Sequence, residues 1–161
     1  ELFKYFKSMG VHTALDTSGI LFNPDNTEKF DILIKYTSLV LLDIKHINNE
    51  EHIKLTGHPN KNVLNFAEYL SENYVPVWIR HVIVPGINDK KEYYIKLGHF
   101  IGKLNNVKAL DILPYHDLAI EKYKNMGITY KLEGIPAMSK ADAIEARNII
   151  LQAYREIKIL L

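Results

Sequence analysis

The chain contains no cysteine among its 161 residues. Disulfides and thiolate metal ligands within it are therefore excluded. It also lacks any long apolar run: nothing approaches the ~20 consecutive apolar residues that a membrane-spanning helix needs. No stretch has the layout of a signal peptide. Charge of either sign is not in excess, with Lys+Arg 20 against Asp+Glu 19 and a net charge of +1. That balance gives no electrostatic case for a nucleic-acid or anionic-membrane partner. No glycine-rich phosphate loop and no serine nucleophile elbow is present. Together these absences predict a soluble, cytoplasmic protein with no nucleic-acid and no membrane partner.

What is present is a large apolar fraction, 47%, which excludes disorder and suits one domain with a real core. Leu2–Met9 reads as the end of a helix, with Gly10 as its C-cap. A chain that opens there without methionine is expected to be a piece of something longer. Four short apolar runs follow, each ending in polar or charged residues. Val11–Leu15 leads into Asp16-Thr17-Ser18-Gly19, and Leu39–Leu42 into Asp43-Ile44-Lys45-His46. Val75–Ile79 leads into Arg80 and on to Pro85-Gly86, and Val107–Leu113 into Pro114-Tyr115-His116-Asp117.

Helical patterning fills the gaps between them. It predicts helices over Thr27–Tyr36, Asn48–Leu55, Lys61–Asn73 and Leu118–Met126, and one from an Asp89/Glu92 capping box to about Leu104. Gly127–Met138 reads as irregular. Ser139 with Asp142 opens a last helix to about Ile157, with Ala143, Ala146, Ile150, Ala153 and Ile157 as its core stripe. Strands predicted over Val11–Thr17, Ser38–Lys45, Val75–Val84 and Val107–Leu113 alternate with these helices, which means an α/β fold with a parallel sheet. Leu39-Val40-Leu41-Leu42 suits a strand buried on both faces. Four βα units amount to about half of a typical ~250-residue barrel.

In parallel α/β sheets, ligands sit at the carboxyl ends of the strands. Asp16, Asp43, Lys45, Arg80 and His116 fall at those ends and read as one assembled site. Asp43 and Lys45 are two apart and share a face, with Leu42 and Ile44 on the other. They are either a structural ion pair or part of a ligand site. Asp16 and Thr17 offer hard oxygen ligands for a cation, or cap a turn. Arg80 could clamp a carbonyl or carboxylate of a ligand, or bridge to a carboxylate on a neighbouring strand. His81 points to the opposite face as a packed or surface histidine. His12, His46, His52, His58 and His99 lack metal-ligand spacing and read as structural or surface residues.

The stretches VHTALDTSG, LVLLDIKHIN, NFAEYL, VPVWIRHVIVPGIND, LPYHDL and YKLEG come in order over nearly the whole chain. Together they resemble the glycyl-radical-enzyme activases of the radical S-adenosylmethionine type, in particular those that act on pyruvate formate-lyase. The resemblance implies a partial (β/α)6 barrel of which this chain holds the last four strands, as one domain. It implies S-adenosylmethionine and a [4Fe-4S] cluster as cofactors, and reductive cleavage that yields a radical able to take hydrogen from a glycine of the partner enzyme. Flavodoxin or ferredoxin is the implied reductant. Lys45 resembles the lysine that binds the methionine carboxylate, and His116 a histidine that contacts the cofactor. Asp16, Thr17 and Asp43 resemble the oxygen ligands of a monovalent cation, and Arg80 an arginine beside the substrate glycine loop. The family's C-x3-C-x2-C cluster loop and Gly-Gly-Glu segment are not among these residues. They are expected upstream, so the chain alone is expected to be inactive.

Two further readings stay open at this point. Lys45 beside Asp43 and Asp16 suits a Schiff-base aldolase or dehydratase on a β/α barrel. Alternatively, the chain is a non-catalytic domain that docks a partner on Gly127–Met138.

Overall fold

The computed structural model describes residues 1–161. In chain order the elements are α1 (Leu2–Ser8), β1 (Ala14–Thr17), α2 (Glu28–Lys35), β2 (Leu39–Asp43), α3 (Asn49–Thr56) and α4 (Lys61–Glu72). There follow β3 (Val77–Ile83), α5 (Lys91–Gly102), β4 (Val107–Pro114), α6 (Ala119–Asn125) and α7 (Lys140–Leu160). The four strands form one sheet in the order β1-β2-β3-β4, and every neighbouring pair is parallel. The α/β class expected from the strand–helix alternation, and the partial-barrel architecture that the resemblance implied, are what the structure shows.

Strand alternation sorts the sheet into two unlike faces. Val40, Leu42, Val77, Ile79 and Ile83 point to one side and are fully buried. Helices cover them there: Val63, Phe66, Ala67 and Leu70 of α4, Tyr94, Leu97 and Ile101 of α5, and Ala146 and Ile150 of α7 join the same core. Leu41, Asp43 and Arg80 point to the other side and are only half-buried, and Trp78 there is exposed. The expectation that β2 is buried on both faces is therefore corrected. The apolar run covers one face only, because its alternate members Leu39 and Leu41 stay partly open to solvent.

Local sequence explains most boundaries. At the end of α1 the Val11 N–H bonds the Phe6 carbonyl and the Gly10 N–H bonds the Lys7 carbonyl, with Gly10 at φ +74°. This is the paired closure that glycine favours. Asn48 Oδ1 accepts the Glu51 N–H to start α3, and Ser139 Oγ accepts the Asp142 N–H to start α7. The expected Asp89/Glu92 box does not form: α5 is preceded by Lys90 and has no side-chain cap. Asn88, just before it, is occupied elsewhere. β1 is shorter than expected, beginning at Ala14, since the Thr13 carbonyl accepts both the Ser38 and Leu39 N–H groups at the corner. No helix is long and apolar enough to cross a membrane.

α5 and α7 approach closely because α5 carries glycine where they touch. A Cβ on Gly98 would lie 2.5 Å from the Ile150 carbonyl oxygen and 2.6 Å from the Ala153 Cβ. One on Gly102 would lie 2.7 Å from the Ile157 Cβ. The small-residue stripe of α7 (Ala143, Ala146, Ala153) is buried as expected, while Ile157 is half-buried at the end of the contact.

Candidate functional site

The half-open face carries a chain of ion pairs across three adjacent strands. Asp43 on β2 and Arg80 on β3 are register partners, and Asp16 on β1 lies one strand beyond Asp43. Arg80 Nη1 donates to Asp16 Oδ2 at 2.6 Å, reaching over β2, while its Nε stands 3.7 Å from Asp43 Oδ1. Lys45 Nζ donates to the other Asp43 oxygen at 2.7 Å. Two carboxylates and two cations thus converge level with the carboxyl ends of β1 and β2. Arg80, expected at a strand end, stands mid-way along β3 (Val77–Ile83), which runs on three residues past the pairing with Asp43. The quartet is accessible: the Lys45 side chain is 38% exposed and that of Asp16 is 64% exposed.

Both cations keep spare capacity. An ammonium has three donors, and Lys45 uses one on Asp43. A guanidinium has five in a fixed fork, so Arg80 can hold Asp16 and still present N–H groups to a ligand. The sequence allowed Arg80 a bridge to a carboxylate on a neighbouring strand; its nearer contact is instead with Asp16, two strands away, and Asp43 on the adjacent strand is the longer one. The Lys45–Asp43 pair is exposed enough that its attraction is screened by solvent. A half-exposed, ion-paired lysine is the opposite of the desolvated amine that a Schiff-base enzyme requires.

Thr17 does not join this cluster through its hydroxyl. Its Oγ1 accepts the Gly19 N–H at 3.0 Å in a tight turn. In register it lies beside Leu42, on the helix-covered side of the sheet. No group of three or more His, Asp or Glu side chains is arranged to hold a metal ion. His116 lies two residues past β4 and is exposed. Its neighbour Tyr115 anchors the loop: the ring is buried, the N–H bonds the Ile83 carbonyl, and the hydroxyl lies 3.1 Å from that of Tyr130. Burial, and then the bond to Tyr115, pushes the Tyr130 phenol up to about 12.

The sequence reading missed how Lys45 is held. β2 ends at Asp43, yet the next four carbonyls are all bonded by buried side chains. His81 Nδ1 donates to the Ile44 carbonyl at 2.6 Å. The Asn88 amide donates to the carbonyls of Lys45 (3.1 Å) and Val82 (2.8 Å), and its Oδ1 accepts the Val84 N–H at 2.7 Å. The Asn60 amide donates to the carbonyls of His46 and Ile47. His46 is fully buried. Its Nδ1 accepts the Asn48 N–H at 3.0 Å, and its Nε2 finds no hydrogen-bond partner. Only the Asn at the end of Pro-Gly-Ile-Asn hinted at this, and Asn in a turn more often bonds its own loop.

The family model of the Radical SAM superfamily matches residues 1–97. A relative from Staphylococcus epidermidis, named pyruvate formate-lyase-activating enzyme, is 56% identical over 137 residues, which are 84% of this chain and 55% of that protein. One of the same name from Staphylococcus aureus is 52% identical over 139 residues, 85% of this chain and 55% of that protein. The chain spans about half the length of the curated relatives it matches. Among solved structures, a domain of a pyruvate-formate lyase-activating enzyme from Bacteroides vulgatus has the same fold. It matches with TM-score 0.75 and 20% identity over 94% of this chain and 83% of that one.

Proposed function

The chain belongs to the radical SAM superfamily, and on that premise we propose that it forms the C-terminal region of an activating enzyme that installs a glycyl radical in pyruvate formate-lyase. The names of the relatives at 52% and 56% identity support the partner. The single observation that carries the site is the convergence of Asp16, Asp43, Lys45 and Arg80 on one accessible face, level with the carboxyl ends of β1 and β2, the region where parallel sheets take ligands.

S-adenosylmethionine fits this face. In the proposal Lys45 receives the methionine carboxylate with the two ammonium donors that Asp43 leaves free, and His116 contacts the cofactor from the end of β4. Asp43 orients the lysine. Arg80, braced by Asp16, offers its remaining N–H groups to a peptide carbonyl of the glycine loop of the partner. The cofactor, when bound, supplies the radical chemistry of the superfamily; these side chains bind and orient it. A [4Fe-4S] cluster does not fit residues 1–161 as ligands, since none is a cysteine. Its thiolates have to come from elsewhere in the enzyme. A monovalent cation, if held by Asp16, Thr17 and Asp43, would rely on the two carboxylates, because the Thr17 hydroxyl serves the Gly19 turn. A flavodoxin or ferredoxin reductant and a cytoplasmic setting complete the proposal.

The test is Lys45→Met in the intact activating enzyme, with S-adenosylmethionine affinity measured by equilibrium binding. Loss of a charged hydrogen bond of roughly 1.5–3 kcal/mol predicts affinity about ten- to a hundredfold weaker. Unchanged affinity would overturn the assignment of Lys45.

A further inference from the structure

Lys45 lies beyond the end of its strand, where a parallel ladder no longer fixes the backbone. The β2–β3 register stops at Asp43↔Arg80, while β3 continues beside β4 to Ile83↔Pro114. Past that point the two strands diverge, and carbonyls that a ladder would satisfy need other donors. Buried side chains take over that task. The Asn88 amide stands between the Lys45 and Val82 carbonyls and joins the diverging strands at the position that carries the ammonium. Asn88 is 1% exposed and its Oδ1 is itself fixed by the Val84 N–H. All of its hydrogen bonds are to backbone, and none reaches the open face.

Asn60 does the same for the next two residues along the chain. It is 4% exposed and holds the His46 and Ile47 carbonyls from the start of α4. His81, 3% exposed, holds the Ile44 carbonyl from β3. Lys45 is therefore bracketed on both sides. The carbonyls of Lys45 and its neighbours are satisfied as a strand's would be, although no strand contains the residue. A side chain on a fixed backbone meets its ligand without the ordering cost that a loop residue incurs.

We propose that Asn88 is a positioning residue for Lys45: by bridging the Lys45 and Val82 carbonyls it sets the height and direction of the ammonium that receives the cofactor carboxylate. The proposal rests on the reading of Lys45 given above. Asn88 touches neither cofactor nor substrate and acts only through the lysine.

The experiment is a double-mutant cycle in the intact activating enzyme, with S-adenosylmethionine as the titrated ligand. Asn88→Ala, Lys45→Met and the pair are compared for cofactor affinity and for the rate of partner activation at saturating cofactor. Asn88→Ser is carried in parallel. Its hydroxyl can still accept the Val84 N–H but cannot bridge two carbonyls, so it tests the idea even where the alanine variant folds poorly. The expected result for either Asn88 variant is cofactor affinity weaker by about tenfold, the scale of one net hydrogen bond. The activation rate at saturating cofactor should change little. In the Lys45→Met background the Asn88 effect should vanish. An Asn88 effect of equal size with and without Lys45 would make the residue a general prop of the fold and overturn the proposal. So would unchanged affinity in the Asn88→Ser enzyme while Lys45→Met binds weakly. If Lys45→Met itself binds normally, the cofactor reading of Lys45 fails and the proposal falls with it, a result distinct from the other two.

Discussion

Burial holds the His81 imidazole down to about 4, only partly offset by its bond to the Ile44 carbonyl, and nearby Lys45 and His46 add to the depression. Between about 4 and the ordinary value of 6.5 the ring is neutral in the folded chain while the unfolded chain carries it charged. An unfolded histidine takes up its proton near pH 6.5 and the folded one only near 4, so between those values the unfolded state binds more protons. Stability is full above about pH 6.5 and falls as the pH drops towards 4, by on the order of 3 kcal/mol from this ring. Burial lowers His46 as well, in the same direction. A urea-unfolding series from pH 7.5 to 4.5 should show the midpoint level down to about pH 6.5 and falling below it, and a flat profile throughout would mean that His81 is not buried neutral. The sequence placed His81 on the face opposite Arg80 by counting positions along β3 and left it packed or at the surface; the structure buries it. What counting could not supply was the carbonyl it bonds, because that carbonyl belongs to Ile44, just past the end of another strand. Asn88 was invisible for the same reason.

At the scale of the element, the contact between α5 and α7 is the tightest feature of the helix layer. Gly98→Ala puts a methyl within 2.5 Å of a backbone oxygen that cannot rotate away. The helices must separate, at a cost of about 1–3 kcal/mol for overpacking, which outweighs the better helix propensity of alanine, about 1 kcal/mol. The expected reading is a lower urea midpoint with an unchanged slope; a higher midpoint would show that the helices are free to slide. Helix α7 was legible in detail, since Ser139 and Asp142 mark its start and alanines at helical spacing mark its buried stripe. The start of α5 was not. Asp89 and Glu92 have the spacing of a capping box, but the preceding residue, Asn88, is drawn inward by the Lys45 and Val82 carbonyls, and the helix begins after Lys90 without a side-chain cap. A tertiary bond outcompeted a local one. β2 was misjudged on one side only, since four consecutive apolar residues carry no mark of which face a partner covers.

For the whole molecule, the division of the sheet into a helix-covered face and a half-open one sets where chemistry can happen. The half-open face carries the charged quartet and also the only tryptophan, Trp78, 41% exposed. Acrylamide should therefore quench the emission of the chain efficiently, and the emission maximum should lie towards the red. A blue-shifted, shielded spectrum would show that this face is covered in solution. The strand order β1-β2-β3-β4 repeats the order of the chain. No strand is inserted between two that come before it, so no gap must be kept open for a later segment. Each new strand finds its neighbour already made, and its helix follows to cover it. A ribosome delivers a protein from the N-terminal end, and domains fold as they emerge. This sheet can be laid down one strand at a time during synthesis, with a single growing edge throughout.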